Sequence, residues 1–264
     1  MKALNVLLFF LVSVTGIAQE NENFVRYYYD LEVSKVSDPN QKRNSEMILD
    51  VYEDHSYFAE KNFVAYQNEL HQAQNMKDSP AYTDLLKKAG SKYKRSYYMM
   101  VKTDDDENLV YEKFKNKKFH VAEPQDEVVW ETEDAVYTWN GREAKKATTI
   151  CDGRTWTVLF IPGTTVESGP YKFNNLPGFV VKAWDKGNYY VFEYNNKEEL
   201  NGKNVYLVKP ESYAEISEHE KKLLKEVHYP DIASSKNDKS RASNVKIEDI
   251  ENAIDLGFMD QISY

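Results

Sequence analysis

The stretch Gly169-Pro-Tyr-Lys-Phe-Asn-Asn-Leu-Pro-Gly-Phe-Val-Val-Lys-Ala-Trp-Asp185 decides the fold. Two rigid corners, Gly169-Pro170 and Pro177-Gly178, flank an aromatic tripeptide and lead into an apolar run. Pro presets the first central φ of a type II turn and Gly accepts the positive φ at the second, so Pro177-Gly178 predicts such a turn. Phe179 to Trp184 has the β-branched and aromatic content of a strand.

The same alternation of corner and strand extends outward in both directions. Asn140-Gly141, the strongest two-residue hairpin signal, joins Val136–Trp139 to Glu143–Thr149. Asp152-Gly153 repeats the device before Thr155–Phe160. Asp185-Lys186-Gly187-Asn188 turns the chain back into Tyr189–Tyr194, and Asn201-Gly202 is read as a further turn leading to a strand over Val205–Val208. A long meander of this kind must curl to bury its apolar face and limit its edges. The expected fold is therefore mainly β, an antiparallel meander curled into an open or half β-barrel with a few short covering helices.

Upstream, Asn23–Lys35 alternates Phe24, Tyr27, Tyr29, Leu31 and Val33 with polar residues, and Ser37-Asp38-Pro39-Asn40 reads as the turn that closes it. Met47–Tyr52 and Tyr57-Phe58 form a hairpin around Asp54-His55-Ser56. Ser79 as N-cap, Pro80 at the first helical position, Tyr82, Leu85, Leu86 and Ala89 at helical spacing, and Gly90 at the end predict a short amphipathic helix. Tyr97–Val101 and Leu109–Tyr111 flank an acidic turn at 103–108, which lacks the central Gly and distal Glu of a calcium loop. Phe114 and Phe119–Val121 bracket a Lys/Asn turn, and Ala122–Gln125 reads as a break. Ser217 and Glu220 fit a capping box ahead of Leu223, Leu224 and Val227, with Tyr229-Pro230 as the stop.

The block from about residue 128 to 200 resembles the GLPGLI family of small secreted Bacteroidetes proteins, whose activity is unassigned. The resemblance rests on Gly169–Phe173, on Leu176-Pro177-Gly178-Phe179-Val180, on Lys146–Thr149 and on the Gly153-Arg154 pair. It implies that Gly153, Arg154, Gly169, Pro170, Leu176, Pro177 and Gly178 are structural motif positions. Asn175 replaces the first Gly of the family's name motif, Phe179-Val180 replaces Leu-Ile, and Lys145 stands where the family often carries Cys.

Residues 1–18 read as a signal peptide, with Lys2 at the charged start, an apolar core over Leu4–Val14 and a small-residue cleavage site ending at Ala18. The expectation is an exported protein of the periplasm or extracellular space, with a β-rich domain over 19–232, a polar linker and helical tail over 233–264, and no transmembrane segment in the mature chain. Removing the signal peptide takes one Lys and no acid, moving the formal net charge from −9 to −10. So acidic a chain lacks the basic footprint that nucleic acid requires. Its single Cys, Cys151, leaves no internal disulfide.

No catalytic constellation emerges. Ser168 lies in Glu-Ser-Gly-Pro rather than a Gly-x-Ser-x-Gly elbow, Cys151 sits before a hairpin turn, His55 occupies a polar corner, and His219-Glu220 lacks the second His of a zincin. No motif calls for a metal or cofactor. The aromatic and cationic residues Trp156, Tyr171, Lys172, Phe173 and Trp184 are candidates for a binding platform, while Tyr171 and Phe173 serve equally well as a plug for one end of a barrel. The expected role is a non-catalytic binding or carrier protein of the cell envelope, taking a hydrophobic, peptide or glycan ligand or an outer-membrane protein. An envelope hydrolase and an accessory subunit of an outer-membrane complex remain the alternatives.

Overall fold

The computed structural model describes residues 22–221 apart from 36–37, 75, 77–80, 94–99, 105–106, 115–116, 126–127 and 167. The signal peptide, Ser37, Ser79, Pro80, Tyr97–Met99 and everything after Lys221, including the Tyr229-Pro230 stop, the linker and the tail, lie outside the described residues.

One antiparallel-dominated sheet organises the chain. β1 (Glu22–Lys35), β2 (Asp38–Val51), β3 (Ser56–Glu60), β4 (Met100–Thr103), β5 (Glu107–Phe114) and β6 (Lys117–Pro124) form a meander, each pairing with the next. A second meander comprises β7 (Glu131–Trp139), β8 (Arg142–Cys151), β9 (Arg154–Pro162), β10 (Gly178–Asp185) and β11 (Tyr190–Gly202). Antiparallel pairing of β1 with β11, from Glu22↔Gly202 to Val33↔Tyr190, joins the two. The short β12 (Ala214–Glu215) adds in parallel to β6, giving the order β12-β6-β5-β4-β3-β2-β1-β11-β10-β9-β8-β7. The sheet is open, with β7 and β12 at its edges.

The connection from β6 to β7 forces the curl. Ten strand steps separate them in the sheet order, about 48 Å if flat at ~4.8 Å per step. Seven Cα steps, from Pro124 to Glu131, reach only about 25 Å. The period-2 alternation then sorts side chains between the two faces. Leu49 and Phe58 join the large concave core with Tyr29, Leu31, Trp156, Phe160 and Phe192. Their neighbours Ile48 and Ala59 pack on the convex side against Phe63 and Val64 of α1 (Lys61–Gln74). Beside α1 lies the predicted amphipathic helix, α2 (Ala81–Lys92).

Asn140 and Gly141 have φ of 46° and 76°, and Asp152 and Gly153 have 51° and 73°, as two-residue hairpin turns of this type require. The Ser217–Glu220 capping box is present, with the Ser217 N–H donating to Glu220 Oε2 at 2.8 Å and the Glu220 N–H to Ser217 Oγ at 3.3 Å.

Several expectations are corrected. Gly178 has no positive φ; it begins β10 opposite Pro162, where a Cβ would lie 2.1 Å from the Ile161 carbonyl oxygen. Close approach of two backbones, rather than a type II turn, requires glycine there. The left-handed positions of the central stretch are Tyr171 and Asn175, each at φ 62°. Asn201-Gly202 remains inside β11, paired with Asn23 and Glu22, and residues 203–208 cross the sheet as an irregular strap. Asp38–Asn40 belongs to β2 and Ala122–Pro124 to β6. α1, which follows β3 without a break, is not among the elements predicted above, although Phe63, Gln67, Leu70 and Gln74 recur at helical spacing.

Candidate functional site

The loop between β9 and β10 turns inward. Tyr171, Lys172, Phe173 and Asn174 are 3%, 4%, 1% and 6% exposed. Phe173 meets the Trp156 ring edge-on at 4.9 Å and those of Tyr171 and Trp130 at 5.5 and 5.8 Å. Tyr171 holds its unfavourable left-handed backbone while its hydroxyl donates to Asp152 of the β8–β9 turn. The Asn174 side-chain amide donates to Gln125 Oε1 at 3.1 Å, and the Asn174 backbone carbonyl accepts the Trp130 indole N–H at 2.8 Å. The structure thus brings Trp156, Tyr171, Lys172 and Phe173 together in the concave interior. Trp184 does not join them, because the β9–β10 register sets it opposite Thr157, on the sheet's other face.

Around Lys172 lies a buried set of charges. Its ammonium contacts Glu123 at the end of β6 and Asp152 Oδ1 at 3.0 Å. Lys221, in the helical turn after Ser217, lies 3.4 Å from both Glu112 and Glu123. Burial pulls the Lys172 pKa down, but the carboxylates of Asp152 and Glu123 outweigh it and hold it well above the usual lysine value. Burial similarly opposes the charge on Glu123, and Lys172 and Lys221 reverse this and hold the carboxyl below its usual range. Glu218, at the exposed margin of this set, is pushed up to about 7 by partial burial and by its hydrogen bond to Glu123. Burial, with Asp152 beside it, raises the Cys151 thiol and keeps it protonated. A cationic amine and a protonated thiol are poor nucleophiles, so the arrangement acts as a clamp between the two meanders.

The motif pair Gly153-Arg154 supplies a second clamp. Arg154 donates to Asp185 Oδ2 at 2.8 Å and lies over the Tyr190 ring at 4.7 Å, while Asp185 Oδ1 accepts the Tyr190 N–H at 3.0 Å. Gly169 has no room for a side chain, since its Cβ would lie 2.6 Å from that of Val180. Pro170 accepts the Phe173 N–H on its carbonyl at 3.2 Å. Leu176 is buried in the same core, and its carbonyl takes the Gly178 N–H at 2.7 Å around Pro177.

Two open grooves lie on the convex side, on either flank of the 203–208 strap; a wider and more acidic one lies across β1, β2 and β11 at Asp30, Glu32, Glu46 and Glu193. α1 holds this strap by its amides: Gln67 Oε1 accepts the Val208 N–H and Asn68 Oδ1 the Val205 N–H, both at 3.0 Å. Between them Tyr206 points inward, stacks on Tyr57 at 3.8 Å and donates to Asp50 Oδ2 at 2.6 Å. Asp50 is fixed in turn by Arg26, at 2.6 and 2.7 Å. On one flank is a groove of about 410 Å³, floored by Phe63, Leu70, Leu86 and Leu207 and rimmed by Lys113, Lys118 and Lys209. On the other is one of about 480 Å³, with Tyr57, Met100 and Tyr111 beside Lys102, Lys203 and His71. Among the described residues neither lining contains an Asp or Glu. Lys102 is already paired, at 2.9 Å from Asp104. These volumes fall in the range of small-molecule sites, roughly 300–1,000 Å³. Sequence reasoning missed the grooves because their walls come from segments far apart in the chain.

Among the described residues no group of three His, Cys, Asp or Glu side chains is placed to hold a metal, and no helix is long and apolar enough to cross a membrane. No protein-family model and no curated protein matches the chain. Solved structures that resemble it include PNGF-II in C2 and P21 crystal forms, each with TM-score 0.47 and 13% identity, covering 79% and 77% of this chain and 32% and 33% of that protein. The chain therefore spans about a third of the length of PNGF-II. An uncharacterized conserved protein from Thermus thermophilus matches at TM-score 0.29 and 10% identity, over 73% of this chain and 90% of that one. Scores this low bear on neither activity nor partners.

Proposed function

We propose that the chain is an exported, non-catalytic binding protein of the GLPGLI type, and that it takes an amphipathic anion in the grooves beside the 203–208 strap. The single observation that carries this reading is the lining of those grooves, apolar and aromatic below, lysine at the rim and free of carboxylates among the described residues, in a chain of net charge −9. An apolar floor receives a hydrocarbon or aryl body, and a few placed charges orient its head group. The burial of Tyr171 and Phe173 turns the concave side of the sheet over to packing.

Titration with dodecyl phosphate, against dodecyltrimethylammonium as a cation of equal chain length, tests the reading. The anion should bind saturably, and Lys113→Glu with Lys118→Glu should weaken it by about tenfold or more, the loss of roughly 1.4 kcal/mol or more. Equal binding of anion and cation, or binding indifferent to both substitutions, overturns it.

A further inference from the structure

We propose that residues 245–264 of the same chain occupy the lysine-rimmed groove beside α2 and compete there with external anions, an inference that rests on the binding role assigned to that groove above. The groove offers Phe63, Leu86 and Leu207 below Lys113, Lys118 and Lys209. Residues 245–264 carry Glu248, Asp249, Glu251, Asp255 and Asp260 against the single Lys246, a net charge of −4, interleaved with Ile247, Ile250, Ile254, Leu256 and Phe258. This is the composition of an amphipathic anion, the chemistry the groove selects, attached to the chain that contains the groove.

Reach does not limit the docking. Residues 222–244 separate the last described residue from Val245, and at roughly 3.3 Å per residue they extend up to about 75 Å. About half of that connection, residues 233–243, is rich in Ser, Lys, Asn and Asp, a composition that reads as a linker. Tethering makes the encounter intramolecular, with an effective concentration on the order of millimolar for short flexible links. Even weak complementarity then keeps the groove largely filled until a stronger anion displaces the tail.

The test uses the full chain. Leu86 is replaced by the photo-crosslinker p-benzoylphenylalanine, and cross-linked peptides are identified in dilute monomeric protein. Links to peptides from 245–264 are expected, and they should disappear when Glu248, Asp249 and Glu251 are all changed to Lys. That same charge-reversed chain should bind dodecyl phosphate about tenfold more tightly than the unmodified one. Links that avoid 245–264, that form only between two molecules, or that survive charge reversal overturn the proposal. If Lys113→Glu with Lys118→Glu still weakens dodecyl phosphate binding by about tenfold or more in that case, the groove keeps its binding role and only the tail's part in it falls.

Discussion

Lys113 and Lys118 stand directly opposite each other in the β5–β6 ladder, on the groove-facing side of the sheet. Like charges in cross-strand contact destabilise a hairpin, while opposite charges contribute roughly 0.2–1 kcal/mol. Lys118→Glu should therefore raise stability by about 0.5 kcal/mol in urea unfolding while weakening amphipathic anions. A lysine pair with only a folding role would show the two quantities falling together.

Lys172 joins the loop after β9 to Glu123 on a strand of the other meander, with both groups buried. Removing one member of a buried pair leaves an uncompensated charge at a cost of about 3–5 kcal/mol. Lys172→Met should lower unfolding stability by that amount, and Lys172→Met with Glu123→Gln by clearly less than the sum of the single changes. Additive effects would mean the two groups do not share one network.

Gly178 and Asn175 make opposite predictions three residues apart. A methyl group at Gly178 runs into the carbonyl of Ile161, a backbone atom that cannot swing aside, so Gly178→Ala should cost about 3 kcal/mol. Asn175 already has φ 62°, which glycine adopts freely, so Asn175→Gly should cost only its exposed side-chain hydrogen bond to the Gln125 carbonyl, about 1 kcal/mol or less. Denaturant midpoints of the two variants check both values, and a tolerated Gly178→Ala would refute the close-approach account.

That pair also shows what the sequence carries. Asn140-Gly141 and Asp152-Gly153 are legible because their chemistry allows one local geometry between strands, and α2 is legible from Tyr82, Leu85, Leu86 and Ala89. Pro177-Gly178 misleads because glycine serves both positive φ and tight backbone contact, and only the Ile161 neighbour distinguishes them. Asn201-Gly202 misleads for a related reason: pairing with β1 overrides a local turn preference. That pairing joins residues far apart in the chain, as in Arg26↔Glu198, and no local pattern announces it. The burial of Lys172 is equally silent, since its partners Glu123 and Asp152 converge only once the sheet curls.

Glu218 gives the fold a pH dependence of predictable sign. Its carboxyl is pushed up to about 7 in the folded chain from an ordinary value of 4.5, by burial and by Glu123 beside it. Between those values the folded state holds a proton that the unfolded state has lost, so stability falls as pH rises through this window. Glu123, held below its usual value by Lys172 and Lys221, contributes in the opposite sense: its stabilisation is present above the unfolded value and is lost as pH drops below it. Together they make stability rise out of the acid range and fall again towards neutral pH. Urea midpoints measured between about pH 4 and about pH 8 should rise and then decline. Glu218→Gln removes the group that declines with rising pH while leaving Glu123 in place, so it should flatten the neutral limb and preserve the acid one. A neutral limb unchanged in that variant would assign the decline to other groups and detach Glu218 from the buried lysine–carboxylate cluster.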